Sequence, residues 1–408
     1  MNIGKFIGSV LVIIGTMIGA GMLALPLVSA QAGFVWASLV TVAVWVLMTV
    51  TGLLVLEVNL ALDRGACSFS SMAEKTLGKA GKLITWLVCL LLLYALTAAY
   101  MSGASSLLTN NILEVYFHIK VANFISAILF TLVFGGMVFW STRATDYANR
   151  GLISIKGALL FIAIASLLPQ INISAMLQSQ HIATSDKCLF AMVPIFLCAF
   201  GYHTVIPSLR IYIGDKPKEL KQMIVCGTTV ALVIYLLWLA TTLGVVPMHG
   251  ENSFSSIAQN NSSVDGLVNT INLLAHSRWV SIGVNGFSNV AMTTSFLGVT
   301  LGLFDFLADG CKRPNSRFGR TQTALITFVP PLIFAFYFPG GFILALKYAA
   351  IFVAILEIIL PALMVYKLRR NTHLHSAHLV GGGNIVLLLI TGVGFALIFL
   401  QLLNSLTS

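Results

Sequence analysis

Glycine is concentrated in the middle of the first apolar segment, where Gly15, Gly19 and Gly21 lie within seven residues and Pro26 follows. Glycine and proline weaken a helix, and in hydrocarbon an unwound backbone persists only where protein or a water-filled cavity satisfies its polar groups. Free N–H groups there, with the positive end of the next helix, would bind an anion. The alternative is close helix packing through the small-residue face of Gly15 and Gly19.

A second interruption is predicted in the sixth apolar segment, where Phe200, Gly201 and Tyr202 lie between Pro194 and Pro207. The two interrupted segments are five apart, as expected of two inverted repeats that bind substrate between broken helices. An α-amino acid would fit, because its carboxylate accepts from N–H groups and its ammonium donates to freed carbonyls. The predicted substrate-binding backbone comprises Gly15, Thr16, Gly19, Ala20, Gly21, Phe200, Gly201 and Tyr202.

Three ionisable side chains inside apolar segments are candidates for carrying a proton, because a charge in a bilayer is costly and rarely kept without a function. Lys156 lies early in the fifth segment, and a lysine that snorkels to the inner interface is the alternative. His203 borders the second interruption and titrates near physiological pH; a hydrogen-bonded structural histidine is the alternative. Lys347 in the tenth segment can instead pair with Glu357 or reach the outer interface.

Polar side chains on the third and eighth segments are candidates for reading the substrate side chain. They are Tyr94, Thr97 and Tyr100 in the third segment, and Asn285, Ser288 and Asn289 in the eighth. Each set follows one helical face. Polar groups inside a membrane helix must find partners, so contact with a neighbouring helix is the alternative to contact with substrate.

Membrane helices must position all of these residues. The chain has 408 residues, of which 58% are hydrophobic and 9% charged, whereas soluble proteins carry about 25% charged residues. A spanning helix needs about 20 mostly apolar residues. Eleven segments qualify, at roughly 6–29, 33–58, 83–108, 122–140, 150–169, 188–210, 222–246, 278–306, 321–338, 341–365 and 383–403. The stretch 265–276 is shorter and amphipathic, which predicts a helix in the outer vestibule.

The eleven segments form one membrane domain without a soluble part. The first repeat covers about 6–169, the second about 188–365, and the segment at about 383–403 is an extra helix. With the N-terminus in the cytoplasm, all basic residues except Lys120, Lys187, Arg278 and the intramembrane Lys347 lie inside, as the positive-inside rule requires. The C-terminus is then periplasmic.

The net charge of +10 is explained by this orientation rather than by nucleic-acid binding, because the basic residues are scattered in short loops. No cofactor or metal is expected, since the six cysteines form no C-x-x-C pair. An integral-membrane enzyme, the rival of a different class, would need clustered catalytic residues. His373, His375 and His378 cluster in one short loop but have no carboxylate beside them.

Four stretches of the sequence resemble the hydroxy and aromatic amino acid permease family, within the amino acid-polyamine-organocation superfamily, and its tyrosine-transporting branch most of all. They are GTMIGAGMLALP (Gly15–Pro26), LYALTAAYMSGASSLL (Leu93–Leu108), FGYH (Phe200–His203) and FPGGFILALKYAAIFVAILEIILP (Phe338–Pro361). The resemblance implies a leucine-transporter-type fold of five-plus-five inverted repeats with broken helices 1 and 6. It also implies import of tyrosine or a related aromatic amino acid with protons across the bacterial inner membrane.

The resemblance also implies roles for single residues. The two interruptions would hold the backbone of the amino acid, and a lysine in the fifth segment, here Lys156, would take the place of a sodium ion against the first segment. The family often has phenylalanine at position 202, where this chain has Tyr202. A sodium-coupled carrier or an exchanger of the same fold stays open as the rival within the transport class.

Overall fold

The computed structural model describes residues 3–63, 68–114, 118, 121–178, 186–259, 263–313, 316–371, 374 and 376–407. Lys120, His373 and His375 lie outside these residues. The described part consists of helices joined by loops and contains no strand. In chain order the helices are α1 (Ile3–Met17), α2 (Gly21–Ser29), α3 (Gly33–Ala61), α4 (Phe69–Leu107), α5 (Asn123–Trp140), α6 (Thr142–Leu167), α7 (Ile173–Gln178), α8 (Asp186–Ala199), α9 (Ile206–Ile213), α10 (Pro217–Val245), α11 (Phe254–Gln259), α12 (Val264–Ala275), α13 (Arg278–Gly310), α14 (Arg317–Tyr337), α15 (Phe342–Arg369) and α16 (Gly383–Thr407).

The spans agree with the prediction from hydropathy. Within the described residues, nine helical segments are long and apolar enough to cross a membrane, and the bent pair α1–α2 makes a tenth. Helix α14 corresponds to the remaining predicted span. Its 21 residues are long enough to cross, but its first turns carry Arg317 and Arg320, which lower its mean hydropathy. The predicted all-helical membrane architecture is therefore confirmed.

Two predicted boundaries need correction. Helix α6 begins at Thr142 rather than near residue 150, because Ser141 caps it by accepting from the N–H of Ala144. Helix α4 begins at Phe69 rather than near residue 83. Its first part is a separate short helix, joined to the span at Gly78, whose φ of 79° is open to glycine at little cost.

Both predicted helix interruptions are present. Helix α1 ends at Met17 and α2 begins at Gly21, and the two axes differ by 52°. Helix α8 ends at Ala199, and the chain resumes with a 3-10 turn at His203–Val205 before α9. The interruptions will be called break 1 (residues 18–20) and break 2 (residues 200–202).

The helices pack in two groups. One group contains both broken spans with α3 and α10, and the other contains α4, α6 and α13. Helices α6 and α13 approach closely at Gly283, where a Cβ atom would lie 2.6 Å from the backbone nitrogen of Ala163. Helix α15 contacts both groups, through α3 and α8 on one side and α4 on the other, and α16 packs on α15 at the periphery.

The short amphipathic helix α12 covers the end of the bundle where α2 ends and α13 begins. It packs against α2, α4, α10 and α13. The side-chain amide of Asn110 donates to the Asp265 carboxylate at 2.6 Å, and that of Asn272 donates to the side-chain oxygen of Asn285 at 3.1 Å. The prediction of a helix here is confirmed, and its packing closes this end of the molecule.

Candidate functional site

Break 1 leaves backbone donors without backbone acceptors. Within the described residues, the N–H groups of Gly19 and Gly21 have no backbone acceptor, while the N–H of Ala20 donates to the Ser295 hydroxyl of α13 at 3.0 Å. All three residues are buried. Unpaired N–H groups at the start of α2 attract negative charge, as the glycine spacing predicts. Ser295 is a contact that sequence reasoning missed.

Break 2 leaves backbone carbonyl acceptors without backbone donors. The N–H of Gly201 reaches only the carbonyl of Cys198, at 3.4 Å, and the helical pattern resumes at Val205, which donates to Tyr202. The carbonyls of Phe200 and Gly201 consequently accept from no backbone N–H in the described part of the chain. Freed carbonyls of this kind suit an ammonium group.

Tyr235 of α10 joins the two breaks. Its hydroxyl lies 2.7 Å from the carbonyl oxygen of Met17 and 2.6 Å from that of Ala199, the last residues of α1 and α8. Its ring packs edge-on against Phe200, with centroids 4.9 Å apart, and the side chain is fully buried. The two breaks are therefore adjacent, and a residue that the sequence analysis did not single out connects them.

Gly15 and Thr16, which precede break 1 and were predicted to bind substrate, take different positions. The carbonyl oxygen of Gly15 faces Lys156, with 3.4 Å to the lysine Nζ. Thr16 is exposed, and its hydroxyl donates to the carbonyl of Val12 in its own helix at 2.8 Å. The backbone of both residues thus lies beside the break, but the Thr16 hydroxyl is occupied within α1.

Lys156 lies in the middle of α6 rather than early in it, because the helix starts at Thr142. Its side chain is only 4% exposed, and no carboxylate of the described residues lies within 4 Å of its nitrogen. A snorkelling position is therefore wrong. Lys156 also lines an apolar groove of about 580 Å³ between α1, α6 and α10, which includes Gly15 and Ile18 but no residue of break 2.

Three of the predicted side-chain contacts to substrate, Tyr94, Asn285 and Asn289, already have hydrogen-bond partners within the protein. The Tyr94 hydroxyl donates to the carbonyl of Ile326 in α14 at 2.9 Å. Asn285 donates to Ser281 at 3.1 Å, and Asn289 donates to the Asn285 carbonyl at 2.9 Å. The hydroxyls of Thr97 and Ser288, by contrast, are buried without a hydrogen-bond partner in the described structure.

Tyr202 turns its side chain away from the breaks. Its hydroxyl donates to the carbonyl of Met48 in α3 at 3.3 Å, and its ring packs on Gly52, where a Cβ atom would clash with it. The hydroxyl that distinguishes this chain from the family pattern at position 202 therefore anchors break 2 to α3.

His203 forms a buried contact with a carboxylate. Its Nδ1 lies 2.7 Å from the Oε2 of Glu357, its Nε2 lies 2.8 Å from the hydroxyl of Thr51, and the histidine and glutamate side chains are 0% and 5% exposed. Nδ1 and Oε2 are not aligned as a hydrogen bond, so the contact is an electrostatic one. Sequence analysis named His203 but not this partner.

Lys347 is not the partner of Glu357. It is half-buried and precedes Glu357 by ten residues on α15, which corresponds to about 15 Å along a helix. The carboxylate instead faces His203, because residues Ala354–Ile359 form a π-helical segment that rotates the following side chains relative to an α-helix.

A second carboxylate network lies at the end of the molecule opposite α12. Glu57, at the end of α3, accepts two hydrogen bonds from Arg369 at 2.7 and 2.8 Å and one from the N–H of Val380 at 2.8 Å. Near this network, burial of its imidazole lowers the pKa of His378, and the charge of Lys221 lowers it further. His378 is therefore neutral at physiological pH.

Arg210 of α9 fixes the same end of α3. It donates to the carbonyls of Asn59 and Leu62, the latter at 2.8 Å, and to the Asp215 carboxylate at 2.6 Å. A guanidinium at the C-terminal end of a helix satisfies carbonyls that lack helical partners.

The chain matches the Tryptophan/tyrosine permease family over residues 2–401. It is 36% identical over 392 residues to "Tyrosine-specific transport system 1" of Haemophilus influenzae, covering 96% of this chain and 94% of the relative. It is also 36% identical over 394 residues to the "Tryptophan-specific transport protein" of Pseudomonas aeruginosa, covering 96% and 93%. The low affinity tryptophan permease of Escherichia coli is 34% identical, with 92% and 90% covered.

Among solved structures, the chain is similar to a manganese transporter of Eremococcus coleocola, crystallised with an aromatic bis-isothiourea substituted compound. The TM-score is 0.63 at 13% identity, and the match covers 98% of this chain and 85% of that one. At this identity the likeness concerns the fold alone. The fold is the leucine-transporter type, with its first and sixth spans broken.

Proposed function

Because the chain belongs to the tryptophan/tyrosine permease family, we propose that it imports an aromatic amino acid, with tyrosine as the first candidate, in symport with protons. It is a multi-pass membrane transport protein and not an enzyme. The relatives named for tyrosine and for tryptophan are equally similar, at 36% identity, so the choice between these substrates is part of the proposal.

The adjacency of the two breaks is the observation that carries the proposal. Break 1 offers unpaired N–H groups at Gly19 and Gly21, and break 2 offers the carbonyls of Phe200 and Gly201. Tyr235 holds the helix ends on either side together. A zwitterion satisfies both sets at once, because its carboxylate accepts and its ammonium donates, and the helix dipoles favour both charges.

Thr97 is the residue proposed to recognise the substrate side chain. Its buried hydroxyl has no partner in the described structure, and an unpaired buried polar group costs about 1–3 kcal/mol. A phenolic hydroxyl or an indole N–H from the substrate would satisfy it, whereas phenylalanine would not. Such a site can reject the analogue that lacks the polar group.

Lys156 supports the proposal of proton coupling. Its ammonium is buried against the carbonyl of Gly15, three residues before break 1, without a carboxylate beside it in the described residues. A lone buried ammonium is costly, so movement of α1 that changes this contact favours release of a proton. Because the ammonium of Lys156 occupies this position, less room is left there for a sodium ion.

The remaining elements of the proposal concern orientation and repeats. We place both termini as the basic loops demand, with the N-terminus in the cytoplasm of a bacterial cell and the C-terminus in the periplasm. The helices at about 6–169 and about 188–365 would then be the two inverted repeats, with α16 outside them.

Uptake into proteoliposomes tests the proposal. Labelled tyrosine, tryptophan and phenylalanine are offered with a proton gradient or a sodium gradient imposed separately. We expect accumulation of tyrosine under the proton gradient and less phenylalanine than tyrosine. Accumulation that follows only sodium would replace the proton by sodium as the coupling ion, and no uptake of any of the three would refute the assignment.

A further inference from the structure

The buried contact between His203 and Glu357 joins break 2 to α15. His203 starts the 3-10 turn that follows break 2, and Glu357 lies in the π-helical segment of α15. A Cβ atom on Gly201 would lie 3.5 and 3.6 Å from the two carboxylate oxygens of Glu357. The carboxylate therefore also borders the proposed substrate-binding site between the two breaks. Thr51 of α3 contacts the other side of the imidazole.

The charges of the pair follow from its geometry. Nδ1 and Oε2 are 2.7 Å apart, close enough for strong attraction between an imidazolium and a carboxylate even without the alignment of a hydrogen bond. A carboxylate buried without a partner is costly, and a charged imidazole opposite it removes most of that cost. The pair is therefore held most tightly when the imidazole is protonated.

The hydroxyl of Thr51 permits the imidazole to lose that proton. In the protonated state Nε2 donates to Thr51, and the threonine hydroxyl donates to the carbonyl of Met48, 3.2 Å away. In the neutral state the hydroxyl turns and donates to Nε2. Met48 then still accepts from the hydroxyl of Tyr202, so no polar atom loses its last partner.

The other titratable groups around the pair do not replace it. Three other titratable groups lie near the carboxylate of Glu357: Cys89 of α4, Cys198 of α8 and Tyr202 of break 2. All three are neutral. On α3 the next carboxylate, Glu57, is held by Arg369, and on α15 the nearest cations along the helix are Lys347 and Lys367, each ten residues or about 15 Å away. Helix α16, which packs on the π-helical segment, carries no ionisable side chain.

We propose that His203 and Glu357 form a proton-binding site in which the imidazole gains and loses one proton, and that its protonated state holds α15 against break 2. This inference rests on the proposed function, because a coupled proton has meaning only if the chain transports an amino acid. It adds a site separate from Lys156, which contacts Gly15 in the last turn of α1. Protonation of the His203 imidazole attracts Glu357 towards it, beside Gly201, and so completes the substrate-binding site.

Binding measured against pH tests the site. Labelled tyrosine and tryptophan are bound to the purified full-length protein between about pH 5.5 and about pH 8.5, the range in which histidine titrates. For one linked proton, the Kd of the wild type rises by up to about tenfold per pH unit above the midpoint. Glu357→Gln keeps size and polarity but removes the charge, and we expect its slope to fall to a small fraction of this.

A matched variant and a milder one complete the experiment. Glu219→Gln makes the same chemical change at the start of α10, in a side chain paired with Lys216 outside the site, and it should retain the slope. Thr51→Val keeps the ion pair but removes the hydroxyl that bonds Nε2 in both protonation states. Because the hydrogen bond from the charged imidazolium is the stronger of the two, the midpoint of the profile moves to lower pH, by up to about one pH unit. The Thr51 variant decides the question if Glu357→Gln does not fold.

The outcomes separate this inference from the function on which it rests. A wild type that binds neither amino acid refutes the proposed function. A wild type whose Kd does not vary with pH refutes proton coupling and this site with it. A pH-dependent wild type combined with a full slope in Glu357→Gln, or with an unmoved midpoint in Thr51→Val, overturns the inference and leaves the transport function standing.

Discussion

At the scale of single residues, the hydroxyl of Tyr235 has one proton for two carbonyl acceptors, at the ends of α1 and α8. Tyr235→Phe keeps the ring against Phe200 but leaves both carbonyls without this donor. We expect a loss of about 1–2 kcal/mol in stability, seen as a lower thermal midpoint, and slower uptake. Thr241→Val is the control, because the Thr241 hydroxyl bonds only within its own helix. Equal behaviour of the two variants would contradict the connecting role.

The lysine candidates can be separated by one substitution made at two positions. Lys156→Met removes the ammonium beside Gly15 but keeps an unbranched side chain, and we expect it to abolish accumulation under a proton gradient while exchange of labelled for unlabelled substrate continues. The same change at the half-buried Lys347 should leave accumulation intact. Full accumulation in the Lys156 variant would remove that residue from the coupling mechanism.

The ionisable candidates were visible in the sequence, but their partners were not. Lys156 and His203 stand out because charged or titratable groups are rare in apolar segments. Glu357 lies 154 residues from His203 and Tyr235 lies 36 residues from Ala199, so no local spacing connects them. Ser295 carries no signal at all, since serine is common inside membrane helices.

At the scale of elements, the two helix breaks were predictable because glycine and proline act on the backbone locally. The orientation of the helical faces was not. Tyr94 contacts α14 rather than a break, and Glu357 contacts His203 rather than Lys347. Helix faces depend on crossing angles, which involve residues far apart in sequence, and on π-helical segments such as Ala354–Ile359, which the hydrophobic pattern does not reveal.

The close crossing of α6 and α13 can be tested by adding one methyl group. In Gly283→Ala the new Cβ would lie 2.6 Å from the backbone of Ala163, which cannot rotate away, so the helices must separate. We expect a loss of about 1–3 kcal/mol in stability and a lower thermal midpoint. Gly157→Ala is the control on α6, since its Cβ would meet no atom within 4 Å. A midpoint unchanged in Gly283→Ala would show that the crossing is looser.

At the scale of the whole molecule, the proposed orientation places the two ends of α10 on opposite sides of the membrane. With the native cysteines replaced, His249→Cys should react with an impermeant maleimide in intact spheroplasts. Lys218→Cys should react only after permeabilisation, because it would face the cytoplasm. Both positions are exposed, so accessibility within the protein does not limit either reaction. The reverse pattern would invert the topology.

The carboxylate of Glu57 has a consequence for the whole molecule. It is fully buried and held by three donors, two from Arg369 and one from Val380, so the last turn of α15 and the chain leading to α16 converge on it. If this end of the protein opened and Arg369 moved away before water entered, the Glu57 carboxylate would be left buried and unpaired. That would cost several kcal/mol. Water molecules must therefore enter as the arginine leaves, and wetting of this end becomes part of the opening step itself. An osmolyte too large to enter should then slow transport without weakening substrate binding.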